Sequence, residues 1–101
     1  MALSEWTWYA FTSENVNQVS DLGGVYVLGD GNPTATFYVG QSGGLRTRIS
    51  QHLNETQNPC ISRHVRGGGT SFAYKSVTGG EPGRLQEEAN LIRQYHPECN
   101  A

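Results

Sequence analysis

Between Gly24 and Ser42 the chain reads GVYVLGDGNPTATFYVGQS, two apolar tyrosine-bearing runs around a loop of Gly, Asp, Asn and Pro. No other feature limits the fold as strongly. Val25, Tyr26, Val27 and Leu28 in the first run, and Phe37, Tyr38 and Val39 in the second, are the β-branched, aromatic and apolar residues that suit a pleated surface. Gly29 to Pro33 is turn chemistry, so the stretch predicts a β-hairpin with a loop longer than the tightest class. The hairpin explains why the runs are paired. It leaves the tyrosines open, because a tyrosine also serves as a core ring whose hydroxyl reaches water.

Around the hairpin the spacing predicts further elements. Trp6, Trp8 and Phe11 suit a strand or an extended arm, and Ser13 reads as the N-cap of a short helix ending before Gly23-Gly24. Leu45, Ile49 and Leu53 fall at i, i+4, i+8, the stripe of an amphipathic helix, with Arg48 and His52 along one margin of it. A short helix is expected within residues 54–69, a third strand over 69–77 with Phe72 and Tyr74, and a last helix from Pro82 to about Tyr95. Mixed strands and helices at this length place the chain in the α/β (α+β) class, and 101 residues suffice for one domain, residues 1–101.

Composition narrows the function. The apolar runs are too short to span a bilayer, and the first residues lack the basic segment and apolar core of a secretion signal, so an intracellular (cytoplasmic) protein that does not enter membranes is expected. Cys60 and Cys99 are then expected as free thiols. The lesser alternative is a zinc site made of Cys60, His64, His96 and Cys99. Neither GDGNP nor GQSGG has the spacing of a nucleotide-phosphate loop. The net charge of −2 argues against binding a polyanion through overall charge. Its distribution is uneven, however: residues 1–39 carry four acids and no Lys or Arg, whereas residues 40–75 carry Arg46, Arg48, Arg63, Arg66 and Lys75 against Glu55 alone. Such a basic segment suits nucleic acid, with Arg46, Arg63, Arg66 and Lys75 as candidate contacts, or it is simply a solvated face. Trp6, Trp8, Phe72 and Tyr74 are rings able to stack on unpaired bases or to fill the core.

On the last helix, Leu85, Ala89, Leu91, Ile92 and Tyr95 form one apolar band with Glu88 inside it, while Glu87 is expected to face water. A carboxylate on a buried face costs several kcal/mol unless it is paired, hydrogen-bonded or bound to a metal, so Glu88 is either a structural ion pair with Arg48 or Arg84, or a functional group.

Taken in order, Gly24-Val25-Tyr26, Tyr38-Val39-Gly40, Arg48, Glu88-Ala89-Asn90-Leu91-Ile92 and Pro97-x-x-Asn100 resemble the GIY-YIG nuclease domain, above all that of the bacterial excision-repair incision subunit. Valine stands where the family name has isoleucine. The resemblance implies a three-stranded antiparallel sheet flanked by helices and a metal-dependent endonuclease, acting on DNA in preference to RNA. In that case Tyr26 and Tyr38 are the active-site phenols and Arg48 the cation on the phosphate. Glu88 is the ligand of one Mg²⁺ or Mn²⁺, and Asn100 a supporting residue. Some members add a Lys or His near the second motif. Gln41 stands there in this chain, which leaves His52 as the candidate proton relay. The alternative is an adaptor on the same fold without catalysis. Single-stranded, branched and duplex DNA, and RNA, stay open as substrates, as do oligomers and a separate targeting partner.

Overall fold

The computed structural model describes residues 5–30, 35–55 and 57–100. Part of the expected hairpin turn, residues 31–34, lies outside them. Four antiparallel strands form one sheet: β1 (Tyr9–Ala10), β2 (Gly24–Gly29), β3 (Tyr38–Ser42) and β4 (Ser71–Ser76), in the order β1-β4-β2-β3. β2 to β4 are the three expected strands, and β1 is a two-residue addition that borders β4 through Tyr9–Phe72. The helices are α1 (Ser13–Asn17), α2 (Leu45–Glu55), α3 (Pro59–Arg66) and α4 (Gly80–Tyr95), and a 3-10 turn follows at Glu98–Asn100. No helix among the described residues is long and apolar enough to cross a membrane.

β2 is central and buried along its whole length. Its alternating side chains therefore feed two cores. Tyr26 and Leu28 pack with Val16 of α1, Leu45 and Ile49 of α2 and Ile61 of α3, while Val25 and Val27 pack with Leu91 of α4. Phe72, a candidate base-stacking ring, is wholly buried in the first core and unavailable to a ligand.

Two glycines let the motifs close on their neighbours. A Cβ at Gly24 would lie 2.2 Å from the Lys75 carbonyl oxygen on β4. Gly40 stands opposite Tyr26 in the β2–β3 pairing, and a Cβ there would lie 2.4 Å from the Tyr26 ring and hydroxyl. Glycine beside the second tyrosine thus makes room for the first.

Three expectations change. Thr12, not Ser13, caps α1, its hydroxyl accepting from the Asn15 N–H. Leu85 is 45% exposed and Ala89 is exposed as well, so the inward face of α4 runs through Arg84, Glu87, Glu88, Leu91 and Tyr95. Glu87 is half-buried on this face and pairs with Lys75 at 3.4 Å instead of facing open water. Third, Cys60 and Cys99 are not free thiols: α3 packs on the 3-10 turn, the two Cα atoms come within 5.4 Å, and a disulfide joins them. The cysteines sit 39 residues apart, and sequence spacing alone gave no sign that these two elements meet.

Candidate active site

Tyr26, Tyr38 and His52 form a three-ring cluster on the α2 side of the sheet. Ring centroids are 6.1 Å apart for the tyrosines, 5.5 Å for Tyr26–His52 and 5.2 Å for Tyr38–His52. Tyr38 reaches the cluster because it lies two residues before Gly40 and so shares its face. His52 reaches it because α2, anchored by Leu45 and Ile49, presents the margin carrying Arg48 and His52 to the β2–β3 pair. Tyr26 Oη and His52 Nε2 are hydrogen-bonded at 2.7 Å.

The two phenols differ in access. Tyr26 is fully buried because it stands on the central strand, whereas Tyr38, on the edge strand, is part-exposed. Burial is the main cause that raises the Tyr26 pKa above the usual 10; the Tyr38 charge adds to it, Arg48 opposes it and Glu88 adds a smaller push. Those causes also show that Arg48 and Glu88 lie within electrostatic reach of one hydroxyl. Burial, and then the Arg48 charge, lowers the His52 pKa from 6.5 to about 4. At neutral pH the pair is therefore a neutral phenol against a neutral imidazole, and Tyr26 donates to Nε2 when the ring proton is on Nδ1.

α2 and α4 belong to opposite faces, and both pack against β3 at the open edge of the sheet. β3 has a strand neighbour on one side only. Its outward backbone groups are taken by side chains. Asn100 Oδ1 accepts the Val39 N–H and Asn100 Nδ2 donates to the Val39 carbonyl, both at 2.8 Å. Two residues along, on the same edge, the Gln41 backbone N–H lies near enough to the Glu88 carboxylate to favour its charged form. The twelve-residue spacing from Glu88 to Asn100 is therefore the length of chain that carries two side chains to alternate positions of one strand. Burial raises the Glu88 pKa and the Gln41 N–H only partly offsets it.

Among the described residues Glu88 has no ion pair. Arg84, weighed above as its partner, instead donates from Nε to Gln41 Oε1 at 3.1 Å, and Arg48 is exposed within electrostatic reach of His52. The Arg84–Gln41 pair escaped sequence reasoning. Its only signal was the i, i+4 relation of Arg84 to Glu88 on the inward face of α4. A part-buried carboxylate without a counter-ion, beside phenol and guanidinium, offers hard oxygen donors of the kind Mg²⁺ takes. The site fits that ion.

The four candidate nucleic-acid residues do not gather on one element. Arg46 is exposed on α2, Arg63 on α3 pairs with Glu98 at 3.4 Å, Arg66 is exposed at the end of α3, and Lys75 on β4 is paired with Glu87.

The family model for the UvrC-like GIY-YIG domain matches residues 22–101. The chain belongs to the UvrC-like GIY-YIG family. It is 34% identical to UvrABC system protein C of Methanothermobacter thermautotrophicus over 82% of its length, and 29% identical to excinuclease cho of Salmonella typhi over 84%. It spans 14% and 27% of the lengths of those two proteins. The magnesium-bound GIY-YIG N-terminal endonuclease domain of UvrC from Thermotoga maritima superposes with a TM-score of 0.71 at 25% identity, covering 87% of this chain and 93% of that domain. This GIY-YIG chain thus has the expected α+β architecture.

Proposed function

We propose that the chain is a metal-dependent endonuclease domain, residues 1–101, that hydrolyses phosphodiester bonds of DNA inside the cell. The observation that carries this reading is the convergence of Tyr26, Tyr38, His52 and Arg48 from one face of the sheet with Glu88 from the other, at the open edge of β3. Glu88 would hold a divalent cation, Mg²⁺ or Mn²⁺, which when bound would supply neutralisation of the phosphate and of the leaving oxygen.

The protein's own groups do the rest. Arg48 meets the phosphate oxygens with a planar, always-charged fork, and Arg84, held by Gln41, adds a second cation beside β3. Tyr38 is the phenol that contacts the attacking water, because it is the one open to solvent. Tyr26 passes a proton onward to His52 Nε2. As the water oxygen attacks phosphorus, its proton moves to the tyrosine pair and a phenol proton moves to His52, so the buried site develops no isolated phenolate. Asn100 acts as a support, fixing Val39 between the two catalytic positions of β3.

Few unpaired cations surround the cleft, so a lone domain binds duplex weakly and relies on an opened strand, an oligomer or a separate targeting partner for affinity. The supporting experiment incubates the chain with labelled single-stranded, duplex and branched DNA, and with RNA, in Mg²⁺, Mn²⁺ or EDTA. Metal-dependent cleavage within DNA, strongest on single-stranded or branched forms, is expected. Cleavage of RNA alone, or of nothing, would overturn the proposal.

A further inference from the structure

Away from the cleft, ligating atoms of Cys60, His64, Glu98 and Cys99 all lie within 4.8 Å of one another. The disulfide accounts for the two sulfurs. It does not account for the imidazole and the carboxylate that converge on them. His64 Nε2 is 2.6 Å from Glu98 Oε1, and the Cys60 Sγ is 3.7 Å from the same oxygen. Cys60 and His64 are four apart on α3 and so share one face of it, while Glu98 and Cys99 come together from the 3-10 turn. The His64 ring is held in plane by stacking on Phe37, with centroids 4.1 Å apart and an interplanar angle of 6°. Its other nitrogen, Nδ1, lies 3.9 Å from Asp30 Oδ2, an acid on the side away from Glu98.

We infer that, once its disulfide is reduced, this chain binds one Zn²⁺ through Cys60, His64, Glu98 and Cys99. Two thiolates, an imidazole and a carboxylate are a closed four-ligand set for zinc, whose tetrahedral edges of about 3.3–3.8 Å lie inside the observed spread. His96, paired with Cys99 in the sequence, is not part of the cluster; it ends α4 at a φ of 48°. Glu98 takes its place.

The exchange balances. A dithiol reductant gives two electrons and two protons to the Cys60–Cys99 bond and closes to its own disulfide. Zn²⁺ then displaces the two thiol protons to solvent and leaves two zinc–thiolate bonds. In either state a cross-link ties α3 to the 3-10 turn, one residue from Asn100 and its bonds to Val39. The zinc form is the one suited to a reducing compartment.

The test is cobalt and zinc binding by the full chain, oxidised or reduced with a phosphine, in excess Mg²⁺. The reduced chain is expected to take up one Co²⁺ with thiolate-to-cobalt charge-transfer bands and tetrahedral d–d bands, and to release it to Zn²⁺. The oxidised chain should show neither set of bands. Cys60→Ser should halve the charge-transfer intensity, and Glu98→Gln, at an exposed position that leaves folding alone, should weaken binding about tenfold or more. Glu88→Gln should leave the bands unchanged, which separates this site from the cleft and makes the outcome independent of nuclease activity. A reduced chain without thiolate bands, or bands that survive Cys60→Ser at full intensity and Glu98→Gln at full affinity, would overturn the inference.

Discussion

His52 is neutral because it is mostly buried next to Arg48, and that has a measurable sign. Its folded pKa, about 4, lies below the ordinary 6.5. Between those values the unfolded chain binds a proton that the folded chain does not, so the contribution of His52 is present above pH 6.5 and is lost as pH falls toward 4. With allowance for its partial exposure the loss is about 1–2 kcal/mol. Other acids titrate in the same window, so the readout is the difference between wild type and His52→Gln in thermal melts. The variant should lose less stability on acidification, and parallel curves would contradict the assignment. Glu88 and Glu87 are neighbours with opposite expectations. Burial disfavours the Glu88 charge, so Glu88→Gln should melt no lower than wild type. Glu87→Gln breaks the half-exposed pair with Lys75 and should lower stability by no more than about 1 kcal/mol. A Glu88→Gln variant that melts well below Glu87→Gln would mean that Glu88 is a structural group. At this scale the sequence showed Glu88 inside the helix stripe and His52 on the Arg48 margin. It misjudged Glu87, Leu85 and Ala89, because one turn of helix rotation decides which of several mixed positions faces in.

At the scale of elements, the β2–β3 pairing works only because Gly40 leaves space for the Tyr26 ring. Gly40→Ala forces that ring aside or parts the strands, at a cost of about 1–3 kcal/mol, and takes Tyr26 away from His52. Denaturant unfolding and the cleavage rate should both fall; a normal melt with a normal rate would show that the strands absorb the extra methyl. The open edge of β3 is closed by Asn100, whose amide completes both polar groups of Val39. Asn100→Ala leaves a part-buried N–H and C=O without partners, which costs about 1–3 kcal/mol. Hydrogen exchange at the Val39 amide should quicken in the variant, and unchanged protection would contradict the role given to Asn100. Strands and helices were legible from alternation and from the 3.6-residue stripe, which are local signals. The place of β1 within the expected strand or arm and the covering of the β3 edge were not, because each depends on a partner distant in sequence, Phe72 for Tyr9 and Val39 for Asn100; the cap of α1 is local, but Thr12 and Ser13 are adjacent hydroxyl residues that composition does not tell apart.

For the whole molecule, two faces of one sheet have to converge on an edge strand for the site to exist. The order of the motifs carried that information only through likeness to a family, since periodicity does not say that α2 and α4 both pack on β3. The Cys60–Cys99 link was invisible for the same reason. Assembly of the site from both faces also means that no single side chain suffices for cleavage. The most direct measurement is single-turnover cleavage of labelled branched DNA in Mg²⁺ by wild type, Glu88→Gln and Tyr38→Phe, each first shown by circular dichroism to be folded. Removing the metal-holding charge, or the solvent-facing phenol, should slow cleavage on the order of 10²-fold or more, as loss of a well-placed transition-state group does. Wild type in EDTA should be silent. Cleavage by folded Glu88→Gln at the wild-type rate would contradict the account.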